Sequence, residues 1–147
     1  MSAVGAVALT ATLSVAALWD ARTRTIPNLI VGVAALVAAA IDVRYQPLSG
    51  VLENLASAGV LLGAWLVVPT GMGAGDAKLL AVCALLGGPL AALAVFFGAS
   101  VGMSLYALVR WAWTRGRTRP GALPMAPFAA LAWLGVLAWH AVGFGGL

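Results

Sequence analysis

The chain has 147 residues, 63% of them hydrophobic and 8% charged, with a mean hydropathy of +1.06. A soluble domain carries about a quarter charged residues, so a water-facing surface is excluded and lipid is the expected solvent. The formal net charge of +4 comes largely from arginines clustered at the ends of apolar runs, which is a topology signal and not a nucleic-acid surface.

The first apolar segment is Ala3–Trp19. No basic stretch precedes it and Arg22 follows it, so it reads as a retained span and not as a signal peptide. Leu29–Ile41 comes next, after Pro27, and then a loop over Tyr45–Gly50. Val51–Val68 is the third segment, closed by Pro69 to Gly75. The fourth, Ala77–Leu86, ends at Gly87-Gly88-Pro89, and Leu90–Val109 is the fifth. A basic stretch and Pro120-Gly121 lead to the sixth, Leu123–Val142. Period-2 alternation is absent and Ala and Leu dominate, so every segment is expected to be helical. The expected fold is all-α, a single membrane-embedded domain over residues 1–147 with six transmembrane helices.

The fourth segment is short. From Asp76 to Gly88, at 1.5 Å per residue, it covers about 20 Å against a hydrocarbon core of roughly 30 Å, so a re-entrant half-helix is the alternative. Charge decides between them. If all six segments cross, Arg22, Arg24, Lys78, Arg110, Arg115, Arg117 and Arg119 share one side, leaving Arg44 alone on the other. The positive-inside rule then puts the N-terminus outside and the basic face in the cytoplasm, with a thin or tilted fourth helix.

That arrangement sets Asp20, closing the first segment, and Asp76, opening the fourth, on one face at similar depth. Asp42 and Glu53 fall at or near the outer loop as solvated boundary residues, Glu53 in the first turn of the third helix, where it complements the dipole. For Asp20 and Asp76 the simplest reading is pairing with Arg22, Arg24 and Lys78. The alternative is that the two carboxyls meet in a partly dry site. They then cannot both ionise cheaply, and they titrate as a coupled pair. One activates water and the other polarises a carbonyl, which is aspartic-peptidase chemistry. Helix ends favour Asp76 as the base and Asp20 as the acid. No Ser-His-Asp or HExxH arrangement is present, and further ligands for a metal are lacking. Gly71, Gly73 and Gly75 are expected to permit positive φ and close approach of a substrate strand. Cys83 and His140 read as packing residues; the single cysteine excludes an internal disulfide.

The run Asp20-Ala-Arg-Thr-Arg-Thr-Ile-Pro-Asn28 resembles the first active-site motif of the type IV prepilin peptidases, an Asp a few residues before Ile-Pro-Asn. Gly71–Lys78, GMGAGDAK, resembles their second, GxGD followed by Lys, and Pro124-Met-Ala-Pro-Phe128 is similar to their C-terminal Pro-x-x-Pro-Phe segment. The resemblance implies a polytopic aspartic endopeptidase without a cofactor. Such enzymes cut the basic leader from pilin-like precursors at the cytoplasmic face of the cell membrane, typically after a glycine. Asp20 and Asp76 match the catalytic pair and Gly73 and Gly75 the structural glycines. Pro27, Asn28, Gly71, Lys78, Pro124 and Pro127 fall at motif positions that bind substrate or shape the site. Longer members carry an N-terminal domain with paired cysteines, associated with N-methylation. This chain begins at its first span and has no CxxC, so it looks like the short peptidases that serve Flp/Tad-type pili, or an archaellin-type relative, and methylation is not expected.

The expected partners are a prepilin-like substrate and membrane lipids, with no nucleic acid; anionic lipid suits the basic loop Trp111–Arg119. Two rival readings are a presenilin-like protease, since GxGD alone occurs there too, and a proton-coupled transporter subunit. The aspartates near helix ends and Ile-Pro-Asn after Asp20 disfavour the first. The lack of a mid-depth acid and of an inverted repeat disfavours the second.

Overall fold

The computed structural model describes residues 2–67, 73–114 and 123–142. These form five helices and no strand: α1 (Ala3–Thr23), α2 (Asn28–Tyr45), α3 (Leu48–Val67), α4 (Ala74–Trp113) and α5 (Met125–Ala141). The first four are long and apolar enough to cross a membrane, and α5 is a shorter apolar helix.

The expected fourth and fifth segments form one element, α4, broken at Gly88, whose φ of 82° and ψ of 176° are not helical. Gly88 is the one described glycine with positive φ, a conformation open to glycine for lack of a Cβ. Pro89 completes the break, because it has no N–H for the carbonyl of Leu85. The chain then folds back. Asp76 feels the charge of Asp20, whose carboxylate also binds the start of α5. Farther along α4, Gly98 lies against Ala132 and Gly102 against Phe128, so this limb runs antiparallel to α5 and returns to the end where α4 began.

The first limb of α4 is the axis of the bundle. Ala77, Leu79 to Ala84 and Leu86 are all buried, whereas α3 is exposed along most of its length. This explains how a segment too short for the hydrocarbon core is tolerated: it is sheathed in protein, so its ends need not reach both lipid boundaries. Elsewhere the polar groups of helices are satisfied locally. Thr10 and Thr12 each donate to the carbonyl four residues back, at 2.8 Å, and Thr10 Oγ1 accepts the indole N–H of buried Trp133 at 2.9 Å, tying α1 to α5.

Three expectations are corrected. Helix α2 runs to Tyr45, so Asp42 is helical and 4% exposed, not a solvated residue of the outer loop. Helix α3 begins at Leu48, which leaves only Gln46 and Pro47 between helices and moves Glu53 out of the first turn; it is exposed. His140 is exposed in the last turn of α5, while Cys83 is fully buried as a packing residue.

Asp42 does not stand alone in the apolar interior. Asn54 Nδ2 donates to its carboxylate oxygens, at 3.3 and 3.4 Å, and to the Leu85 carbonyl at 3.2 Å. That carbonyl is the one orphaned by Pro89. A single amide therefore joins α2, α3 and the break in α4, satisfying groups that would be costly if left bare.

Close α4–α5 packing yields a first testable expectation. A Cβ on Gly98 would lie 2.6 Å from the Ala132 Cβ, closer than real side chains approach. Gly98→Val should destabilise the detergent-solubilised protein by about 2 kcal/mol through overpacking, with partial recovery on adding Ala132→Gly. Thermal unfolding checks it; an unchanged melting temperature for Gly98→Val contradicts the packing.

Candidate active site

The last turn of α1 carries Asp20, which is 5% exposed. The helix stops four residues later because Arg24 adopts a left-handed conformation, φ 54° and ψ 29°, and its N–H closes on the Asp20 carbonyl at 2.8 Å. This is the usual geometry of a helix C-terminus, held here by an arginine where glycine is favoured. Arg24→Gly should raise stability by about 1 kcal/mol through relief of that strain, read as a higher melting temperature. A lower one would show that the arginine side chain contributes more than the strain costs.

The Asp20 carboxylate turns inward to α5. Its Oδ2 accepts the N–H of Ala126 at 3.1 Å. Pro124 is the N-cap of α5 and gives it no side-chain cap. A helix start leaves four N–H groups without partners; here Pro124 and Pro127 remove two, and Asp20 takes a third. The Pro-Met-Ala-Pro sequence thus leaves few backbone donors at the start of α5 and aims one of them at an acid from another helix.

Asp76 is built differently. Gly73 is the N-cap of α4, so Asp76 stands at the third helical position and its carboxylate reaches back to the Gly73 N–H, one half of a capping box. It is half-buried, and the charge of Asp20 acts on it. The structure therefore brings both acids to one end of the bundle. No ion pair joins either of them to Arg22, Arg24 or Lys78, so simple pairing with cations is not their role. The helix-end argument for assigning acid and base also lapses. Asp76 lies at the positive end of α4 and Asp20, though it closes α1, lies at the positive end of α5.

The motif between the aspartates packs on the second. Ile26 lies against Gly75, where an added Cβ would touch Ile26 Cβ at 3.4 Å, and Lys78 Nζ donates to Asn28 Oδ1 at 2.8 Å. Pro27 is the N-cap of α2 and directs Asn28 into its first position. Neither Gly73 nor Gly75 has positive φ, contrary to expectation. At Gly73 the constraint is space, since a Cβ would come within 3.3 Å of Asp76 Oδ2. Gly71 and the arginines at 115, 117 and 119 lie outside the described residues. Among the described residues no group of three or more His, Cys, Asp or Glu side chains is placed to hold a metal.

What sequence reasoning missed is the backbone N–H of Ala126, a donor with no side-chain signature. The two flanking prolines were the available signal.

With this geometry in place, the family comparison is decisive. The model of the type IV leader peptidase family matches residues 7–108. The chain belongs to that family. No curated protein and no solved structure matches it. The matched span holds Asp20, Ile26 to Asn28 and Gly71 to Lys78, and it stops before α5. The contribution of α5 to the Asp20 site therefore rests on the structure and not on the family match. Membership of a leader peptidase family, together with apolar helices long enough to span, fits a multi-pass membrane peptidase.

Proposed function

We propose that this leader peptidase is an aspartic endopeptidase whose catalytic pair is Asp20 and Asp76. It removes the basic leader of a prepilin-like, Flp-type substrate at the cytoplasmic face of the cell membrane. The observation that carries the reading is the convergence of the two carboxyls at one end of the bundle, each held by a backbone N–H. Two carboxyls that meet in a partly dry site share a proton. The ionised one takes a proton from water as it attacks the scissile carbonyl, and the protonated one donates to the carbonyl oxygen as its charge develops. The helix N-terminal amides fix both side chains before substrate arrives, which lowers the cost of reaching the reactive geometry.

Depth is part of the proposal. Six crossings, counting the two limbs of α4 separately, with the N-terminus outside, put Asp20, Asp76 and every arginine but Arg44 on the cytoplasmic face. A substrate anchored in the same bilayer then presents its leader junction at the dyad. The test is to reconstitute the protein in liposomes with a leader-bearing pilin precursor and sequence the new N-terminus. A single cut between leader and apolar helix supports the reading. An intact precursor, or cuts within the apolar helix as a presenilin-like protease would make, contradicts it.

A further inference from the structure

We propose that Lys78 is a specificity-determining residue of this site: its ammonium, posed by Asn28, receives a carboxylate side chain of the protein substrate close to the scissile bond. The proposal rests on the peptidase reading and deepens it. Lys78 is the only lysine, and its Nζ donates to Asn28 Oδ1 at 2.8 Å. The acceptor is a neutral amide. The four acidic side chains of the chain, Asp20, Asp42, Glu53 and Asp76, are all among the described residues, and none forms an ion pair with Lys78. Asn28 therefore fixes the ammonium without cancelling its charge. An ammonium has three N–H donors; one is used on Asn28, which leaves two for an acid.

Its position suits a substrate contact. Residues two apart on a helix point to nearly opposite sides, and here Asp76 lies within electrostatic reach of Asp20 of α1 while Lys78 turns to Asn28 of α2. Across a helix of about 10 Å diameter, an extended peptide advancing about 3.3 Å per residue covers the distance in roughly three residues. A substrate acid two to four residues from the cut would meet Lys78 while the scissile carbonyl meets the dyad. A fixed cation facing such an acid gains a charge-assisted hydrogen bond, which a neutral side chain cannot supply.

The experiment uses the full chain in liposomes and a set of synthetic prepilin-like peptides, neutral around the cut except for one glutamate, which is walked along both sides of it. Each has a glutamine control, and the readout is the ratio of kcat/KM for the two. Wild type should prefer glutamate about tenfold at one position within that window. Lys78→Met and Asn28→Ala should bring the ratio towards one, and Lys78→Glu should prefer a lysine at the same position. Were Lys78 merely a brace between α2 and α4, the variants would slow glutamate and glutamine peptides alike and leave the ratio unchanged, which overturns the proposal. So does a wild type with no glutamate preference at any position, a result that stands even if Lys78→Met is inactive. Failure of wild type to cleave any peptide is a different result and overturns the peptidase reading itself.

Discussion

Replacing either aspartate alone, Asp20→Asn or Asp76→Asn, should abolish leader cleavage, with kcat/KM falling by at least about a thousandfold and little change in the amount of folded protein. The expectation follows from the proposed division of labour, in which the pair shares one proton. Asparagine keeps the size and much of the hydrogen bonding, and at Asp20 its Oδ1 can still accept the Ala126 N–H. What it removes is the capacity to take or give a proton, a contribution of about a hundred- to ten-thousandfold for a single acid or base. Residues that act as a unit fail together, so the double variant should be hardly worse than either single one. Near-wild-type cleavage by either variant would remove that carboxyl from the chemistry. A transporter subunit would instead show altered proton flux in the same liposomes, with no processing by wild type.

The largest expected effect on stability lies at the other end of the bundle. Asn54→Leu should destabilise the protein by about 3 kcal/mol, because it strips the partner from a buried carboxylate and from the Leu85 carbonyl together. Adding Asp42→Leu should recover part of that loss, since no uncompensated acid then remains, while the orphaned carbonyl still costs. Reversible unfolding in mixed micelles reads both values. If Asn54→Leu changes stability by less than about 0.5 kcal/mol, the amide does not hold the break in α4. The effect bears on function, since the first limb of α4 carries Asp76 at one end and the Asn54 clasp at the other.

Much of this was legible in the chain because membrane helices advertise themselves. Hydropathy located the apolar segments, and the break at Gly87-Gly88-Pro89 was marked by residues whose backbone chemistry demands one. The distribution of arginines placed Asp20 and Asp76 on one face, and the helices bring the two residues to one end of the bundle. Asp42 was misplaced for a physical reason. Its helix runs a turn farther than the hydropathy alone shows, and the partner that makes its burial tolerable, Asn54, comes from a different helix. The helix-end argument for acid and base lost its basis likewise, because Asp20 also meets the start of α5, remote in sequence and acting through a backbone amide. Gly73 was singled out for a conformation it does not adopt: its backbone is ordinary, and a Cβ there would crowd the Asp76 side chain.

The most direct measurement is cysteine cross-linking in native membranes on a Cys83→Ala background, which removes the single, buried thiol. Cysteines at positions 20 and 76 should join through a short bifunctional reagent, as should a pair at 28 and 78, whose native side chains touch. A pair at 20 and 42 should not join. Linkage of 28 with 78 but none of 20 with 76, in a protein that still cleaves its precursor before the thiols are introduced, would contradict the shared carboxyl site.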